Sequence, residues 1–425
     1  MRALSSFFAA CALSLAALAA ETPPPAAPGK TAPRSVKRGV CVNKFYREDA
    51  AAMAPGVAWY YNWAYASDDV YPGCGMEYVP MVWGANQECL DGFKAYLQKH
   101  PKPEFVLALN EPNLRGQAFV TPEVAAKAYN EIRAFAKSQG IKIVGPHMAV
   151  GSPENDSVKA VDPFEKKEVT YRFFLPYMKA FFHFVGGEGS DGADAVAVHS
   201  YGNIYELRWV VETLSREYGK PIWVTEFNWT EGWTPQQQKE YMIQAVDFME
   251  SCPAVARYAW FKERMGPTDK CSLFTDKPGE LTDMGRTYVN MPTHSPAYFA
   301  PLPGKVEAEN YARAHATDVT GIAATSDAEG FLEMRLPKPE SYLEYQVELP
   351  KAGTYKLSFR VLATGKANLR VSRDGWPCAE TNDEKGDGQR QWRTLAATAK
   401  LPAGKQALRL SCGNEAISVN WLACE

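Results

Sequence analysis

From residue 38 to residue 261 the chain alternates two kinds of pattern. Short, nearly continuous apolar runs occupy residues 38–42, 57–63, 78–83, 105–110, 142–148, 195–201, 221–227 and 257–261. Runs of that length and continuity read as strands buried on both faces of a parallel sheet. Between them, apolar residues recur at helical spacing over 87–99, 122–138, 171–184, 204–218 and 235–249. Thr121-Pro122 and Thr234-Pro235 have the form of helix starts, with Thr at the N-cap and Pro in the first turn. Gly140 and Gly219 stand where helices should stop. Helix signals are weakest between the first three strands. Eight strand–helix units predict an α/β fold closed as a (β/α)8 TIM barrel over residues 37–292.

The pattern changes after Met291-Pro292-Thr293-His294-Ser295-Pro296 and Pro301-Leu302-Pro303-Gly304, so 293–303 is expected to be a linker. Beyond it, residues 355–362, 367–372, 395–401, 406–411 and 417–422 alternate apolar and polar positions. Asp374-Gly375 and Pro402-Ala403-Gly404 mark turns. Residues 304–425 are therefore expected to form a smaller all-β sandwich of jelly-roll type.

At the other end, Arg2 precedes an uncharged apolar stretch from Ala3 to Leu18, and Ala17-Leu18-Ala19 suits a small-residue cleavage site. Residues 1–20 read as a signal peptide and 21–36 as a Pro/Ala-rich linker. A secreted or periplasmic location is expected, with no membrane association after cleavage. In an oxidising compartment the cysteines outside the leader become disulfide candidates, with Cys74–Cys89, Cys252–Cys271, and Cys412–Cys424 or Cys378–Cys412 as local pairs. A formal charge of −3 with no long basic run argues against nucleic acid as a partner. The His and Cys residues show neither HExxH nor CxxC spacing, which disfavours a zinc centre.

Two carboxylates change this picture most. Glu111, in Leu109-Asn110-Glu111-Pro112-Asn113, follows the fourth apolar run, and Glu226, in Trp223-Val224-Thr225-Glu226-Phe227, ends the seventh. On a barrel, both would lie at the C-terminal face, where active sites are built. Glycosidic cleavage needs such a pair. One carboxyl protonates the leaving oxygen, and the other attacks the anomeric carbon or activates water. Taken singly, either Glu would read as an ordinary salt-bridged residue at a strand end.

Asn110-Glu111-Pro112 and Thr225-Glu226-Phe227 resemble the acid/base and nucleophile motifs of clan A retaining glycosidases. Lys37-Arg38-Gly39, Tyr61-Asn62-Trp63, Val79-Pro80-Met81-Val82-Trp83-Gly84, His199-Ser200-Tyr201 and Tyr258-Ala259-Trp260-Phe261 narrow the resemblance to glycoside hydrolase family 128. It spans about residues 37–290. It implies a retaining endo-β-1,3-glucanase with Glu111 as acid/base and Glu226 as nucleophile. It also implies that Asn110 binds the 2-hydroxyl of the sugar being cleaved and that catalysis needs no cofactor. Asn62, Trp83, His199, Tyr201, Trp223 and Trp260 are further substrate contacts expected at strand ends, and Trp63, Trp229 and Trp233 are weaker ones.

In the C-terminal part, Val306-Glu307-Ala308-Glu309-Asn310-Tyr311, Trp392-Arg393-Thr394-Leu395 and Ile417-Ser418-Val419-Asn420-Trp421-Leu422 resemble carbohydrate-binding module family 6. That resemblance implies sugar stacking on Trp376 and Trp392, with Asn414 as a polar contact. It also implies a structural calcium at Glu307 and Glu309. The expected partner is a β-glucan polysaccharide and the expected state a monomer. Two other readings stay open at this point: a clan A glycosidase acting on xylan, mannan or mixed-linkage glucan, and a glycan-binding protein without catalysis.

Overall fold

The computed structural model describes residues 33–67, 73–186, 192–232, 234–266, 270–381, 383, 388–413 and 415–425. The proposed signal peptide, most of the 21–36 segment, Trp233 and Asn414 lie outside these residues. The apolar runs form strands β1 (Arg38–Cys41), β2 (Trp59–Tyr61), β3 (Glu77–Tyr78), β4 (Met81–Val82), β5 (Phe105–Ala108) and β6 (Lys142–Ala149). After a hairpin of β7 (Val158–Val161) and β8 (Glu168–Tyr171) come β9 (Ala195–Ser200), β10 (Ile222–Phe227) and β11 (Val255–Trp260). All but the hairpin join one curled, nine-stranded parallel sheet in the order β3-β2-β1-β11-β10-β9-β6-β5-β4. Its two outermost strands, β3 and β4, are consecutive in the chain and separated only by Val79 and Pro80.

Helices α1 (Arg47–Met53), α2 (Gln87–Leu97), α3 (Pro122–Ser138), α4 (Phe174–Val185), α5 (Ile204–Tyr218), α6 (Pro235–Ser251) and α7 (Asp283–Asn290) connect these strands or succeed the last of them. The expected caps are made. Thr121 accepts from the Val124 amide, Thr234 forms a reciprocal capping box with Gln237, and Gly219 ends α5 at φ 58°. The short helices α1 and α7 and the 158–171 hairpin carried too little periodic signal to be expected.

Apolar side chains sort into two buried sets. Cys41, Trp59, Tyr61, Met81, Leu107, Val144, Ala197 and Trp223 fill the inside of the curl, while Val40, Val82, Val106, Val198 and Val224 meet the helices. This alternation arises from the two-residue period of a strand. A buried Arg38 ties the first strand to α7 and the residues just beyond it. Its guanidinium pairs with Glu250 at 3.0 Å and donates to the carbonyls of Tyr288, Met291 and Pro292.

Residues 300–424 form two six-stranded, mainly antiparallel sheets. Strands Tyr342–Leu349, Leu369–Arg373, Trp376–Glu380 and Gly404–Cys412 belong to one sheet, and Leu332–Leu336, Gly353–Ala363, Gln391–Leu401 and Ile417–Cys424 to the other. The stretch expected to be a linker is packed rather than free. His294 is buried, stacks on Tyr311 and bonds Asp247 of α6 at 2.9 Å, and Ala300–Pro301 adds a strand beside Val347.

The cysteine expectation requires correction, because no disulfide joins any of Cys41, Cys74, Cys89, Cys252, Cys271, Cys378, Cys412 and Cys424. Cys412 and Cys424 lie on strands of different sheets. A whole strand, Leu369–Arg373, separates the strands of Cys378 and Cys412. Two strand spacings come to about 9.6 Å, beyond the reach of a disulfide. The Cys412 thiol instead donates to the Lys338 carbonyl.

Candidate active site

Glu111 reaches the cleft through an unusual backbone. Leu109 and Glu111 hold φ of 65° and 41°, a left-handed region that L side chains occupy at a cost of about 1–3 kcal/mol each. Hydrogen bonds hold the segment in place. The Asn110 amide donates to Trp83 O, the Glu111 amide to His147 O at 2.7 Å, and the Leu114 amide back to Glu111 O. Glu226 arrives differently. Its strand β10 shifts register against both neighbours beyond Val224. Such an irregularity re-aims the side chains around it, and Glu226 faces the same cleft as Glu111. Thr225, at the shift, is pinned through its side chain to His147 Nδ1 at 2.8 Å.

The two carboxylates meet across His199. Its Nδ1 lies 2.9 Å from Glu111 Oε1 and 3.3 Å from Glu226 Oε2, and one oxygen of each carboxylate falls within 4.8 Å of the other. Glu226 is gripped further. Trp63 Nε1 donates to its Oε1 at 2.6 Å, Tyr61 OH to the same oxygen at 3.2 Å, and Tyr201 OH to its Oε2. One imidazole nitrogen and two carboxylates are also a donor set a divalent cation can take. Here both Glu226 oxygens already accept from protein donors, so their lone pairs are committed to the chain itself. Burial opposes a charge on His199, but the carboxylates of Glu226 and Glu111 outweigh it and raise its pKa. His147, buried beside it, is pushed the other way. Desolvation and the nearby His199 hold it well below the usual imidazole value.

These groups line a cleft of about 780 Å³ with Asn43, Trp83, Asn110, Gln117, Phe173, Glu206, Phe261 and Lys262 on its walls. Asn110 donates to Gln117 Oε1 at 3.0 Å, while its own Oδ1 has no protein partner among the described residues. The arrangement offers two adjacent carboxylates, a shared imidazole, a free amide oxygen and aromatic walls. A family model described as a glycosyl hydrolase catalytic core matches residues 39–288. An endo-β-1,3-glucanase of family 128, subgroup II, from Pseudomonas viridiflava is 33% identical, with a TM-score of 0.52 over 61% of this chain and 98% of that one.

The chain belongs to glycoside hydrolase family 128.

A second subgroup II endo-β-1,3-glucanase, from Sorangium cellulosum, is 29% identical, with a TM-score of 0.51 over 61% of this chain and all of that one. Alkali-sensitive linkage protein 1 of Schizosaccharomyces pombe is 24% identical over 245 residues. That match takes in 55% of this chain but only 40% of the yeast protein, so the family 128 chain spans less than half of that curated relative.

In this family 128 hydrolase the cleft gathers Glu111, Glu226, Asn110, Trp83, His199 and Tyr201. Three expected contacts lie elsewhere. Trp223 comes early in β10, about 10 Å along the strand from Glu226. It is 1% exposed, packed against Trp59 and Phe105 under the Arg257 guanidinium, and belongs to the floor of the curl. Trp260 does end a strand, but it points outward into Phe227, Tyr241 and Tyr288 and donates to Cys271 O. Asn62 is a local brace, accepting from Tyr78 OH at 2.8 Å and donating to Ala66 O. Of the weaker candidates, Trp63 sits in the cleft and Trp229 does not line it.

Tyr61, His147, Phe173 and Phe261 were missed as site residues. Tyr61 lay within a quoted motif, and its place two residues before Trp63 was the available signal. Phe173 carried none. In the C-terminal sheets, Trp376 is 75% exposed on an edge strand, and Trp392 donates to Ser326 Oγ on an edge strand of the other sheet. Glu307 lies 2.9 Å from Lys305 Nζ. Glu309 is buried, and desolvation pushes its carboxyl well above the usual range.

Proposed function

We propose that this chain is an exported, retaining endo-β-1,3-glucanase, with Glu111 as acid/base and Glu226 as nucleophile. The observation that carries the reading is the approach of the two carboxylates to within 4.8 Å, with His199 Nδ1 touching both. Double displacement works with carboxyl groups about 5–5.5 Å apart, whereas inversion needs about 6.5–9.5 Å to admit a water. The linkage is supported by the activity named for the two subgroup II relatives.

Glu111 gives its proton to the glycosidic oxygen as Glu226 attacks the anomeric carbon, and the leaving chain departs with that proton. Glu111, now a carboxylate, takes a proton from water. That water attacks the glycosyl–Glu226 ester and frees the sugar with its original configuration. Trp63, Tyr61 and Tyr201 hold Glu226 in line and receive its charge when the ester breaks. The free Oδ1 of Asn110 is placed to accept from the sugar 2-hydroxyl.

The curled sheet is read as a closed (β/α)8 barrel in which residues 77–82 act as one strand. In support, Val79 donates to Tyr60 O on one side and Pro80 O accepts from Leu107 on the other. We read 37–292 as the catalytic domain and 304–425 as a β-sandwich glycan-binding module, in a monomer that has lost residues 1–20. A calcium ion at Glu307 and Glu309 is supported by their oxygen chemistry and by the Oε2 of buried Glu309, which has no partner among the described residues. A melting temperature that ignores both calcium and chelator removes the ion from the proposal.

Reducing-sugar release from linear β-1,3-glucan, set beside xylan, mannan and mixed-linkage glucan, tests the activity. Release from β-1,3-glucan with a β-configured first product is expected. Release only from another polysaccharide rejects the linkage, and an α-configured product rejects the mechanism.

A further inference from the structure

We infer that Tyr205 and Trp209 continue the cleft as an exposed aromatic strip that carries the leaving-group side of a bound β-glucan chain. The inference rests on the glucanase reading above and extends it to residues outside the cleft. The strip begins at Phe173, which lines the cleft, is 55% exposed and pairs through its backbone with Gly151 on the cleft wall. The next residue, Phe174, is buried and meets the Trp209 ring edge-on at 5.8 Å. Trp209 is 51% exposed and Tyr205 59%, and they stand four residues apart on α5, hence on one face about 6 Å apart along the axis. Asn203, the N-cap of α5, and Glu206 are themselves cleft-lining residues, so the strip starts where the cleft wall ends.

Apart from the edge-on contact of Trp209 with Phe174, these rings take no part in the packing of α5. Helix α5 packs through Ile204, Leu207, Val210, Val211 and Leu214, and a polar residue at 205 or 209 would leave that face intact. A large ring left half in water forgoes burial that is otherwise favourable. Flat apolar rings at such spacing suit the C–H faces of successive pyranose units, and no net charge is required of the ligand.

The position of the strip also sets which end of the chain it meets. Phe173 comes after the end of β6, and β6 supplies the His147 carbonyl that fixes the Glu111 amide. In the sheet order β6 and β9, which lead to the strip, stand between β5, which leads to Glu111, and β10 with Glu226. The departing portion of the glucan is assigned there because the other flank of Glu226 is taken by Trp63 and Phe261. Trp63 and Phe261, which pack edge-on at 5.6 Å, form the wall on the Glu226 side.

The test is a Tyr205→Ala/Trp209→Ala double variant of the full chain, assayed on a soluble β-1,3-glucan polymer and on laminaritriose. The KM for the polymer is expected to rise about three- to tenfold in the variant, with the laminaritriose KM held within about twofold. An unchanged polymer KM overturns the strip while leaving the glucanase reading standing. Equal changes on both substrates also overturn it, because they mark a disturbed helix rather than a lost binding surface. A wild type that turns over no β-1,3-glucan overturns the reading and the strip together.

Discussion

In the curled sheet, Trp63, Tyr61 and Tyr201 all turn their donors onto one carboxylate, and His199 ties that carboxylate to a second. In the C-terminal sheets, Trp376 and Trp392 stand on edge strands of different sheets, and among the described residues neither belongs to such a cluster. Both regions are built from strands and both carry exposed aromatic rings. A parallel sheet that curls brings the ends of many strands to one place, so side chains distant in sequence converge on a few ångströms. Two separate, mainly antiparallel sheets spread their strand ends along edges and loops.

Glu226→Ala is expected to cut turnover on β-1,3-glucan by several orders of magnitude, because in the proposed mechanism it removes the carboxylate that forms the glycosyl ester. Near-normal turnover would break the comparison at its root. Glu111→Ala sharpens it. Turnover of the polymer should collapse, while an aryl glycoside whose leaving group needs no proton should retain far more of its rate in the first step. Equal losses on both substrates would deny Glu111 the role of acid.

Stability separates the regions on a smaller scale. Arg38→Met leaves Glu250 buried without its cationic partner beside the curled sheet, which should cost about 3–5 kcal/mol in denaturant melts. In the Arg360–Asp327 pair of the C-terminal sheets the arginine is 27% exposed and Asp327 keeps Asn420 and the Ala328 amide as donors, so Arg360→Met should cost less, about 1–2 kcal/mol. Similar losses at both positions would mean that the Arg38–Glu250 pair is better hydrated than its burial indicates.

The two central histidines divide the pH axis. His147 has a lowered pKa, so its contribution to stability is complete above the ordinary imidazole value of about 6.5 and fades as pH falls toward the lowered value. His199 has a raised pKa, so its contribution is complete below that ordinary value and fades as pH rises past the raised one. Thermal melts across pH 4–9, a range of about two units either side of free imidazole, should show a flatter acid limb for His147→Gln and a flatter alkaline limb for His199→Gln. The reverse pattern would exchange their charge states. The smallest effect is expected at Trp376→Ala. Stability should move by less than about 0.5 kcal/mol, while retention on insoluble β-1,3-glucan falls if the module binds it.

Much of this was legible along the chain. The eight apolar runs lie where the parallel strands form, and α3 and α5 fall within the bounds their periodicity and caps imply. The Asn110-Glu111 and Thr225-Glu226 segments stood out because an ionisable residue directly follows or ends an apolar run. The short helix α1 and the 158–171 hairpin were not legible, since a helix of seven residues or two strands of four carry too few periods to rise above composition. The thiols misled because a compartment was read from the leader, whereas bridging depends on where the strands place each sulfur.

By itself the sequence determined which segments become strands and that two carboxylates sit at the ends of two of them. These are local matters of periodicity and chain order, and any neighbouring window contains them. Only the tertiary structure decided which rings face the cleft. Trp63 stands just past the end of one strand and Trp260 at the end of another, yet one donates to Glu226 and the other is sealed among Phe227, Tyr241 and Tyr288. A single-residue shift in register turns a side chain from one face of a sheet to the other, and β10 shifts beside Glu226. Likewise, His199 owes its raised pKa to Glu226 and to Glu111, the latter 88 positions away in the chain. His147 owes its lowered one to burial and to His199. Those separations close only when the sheet curls.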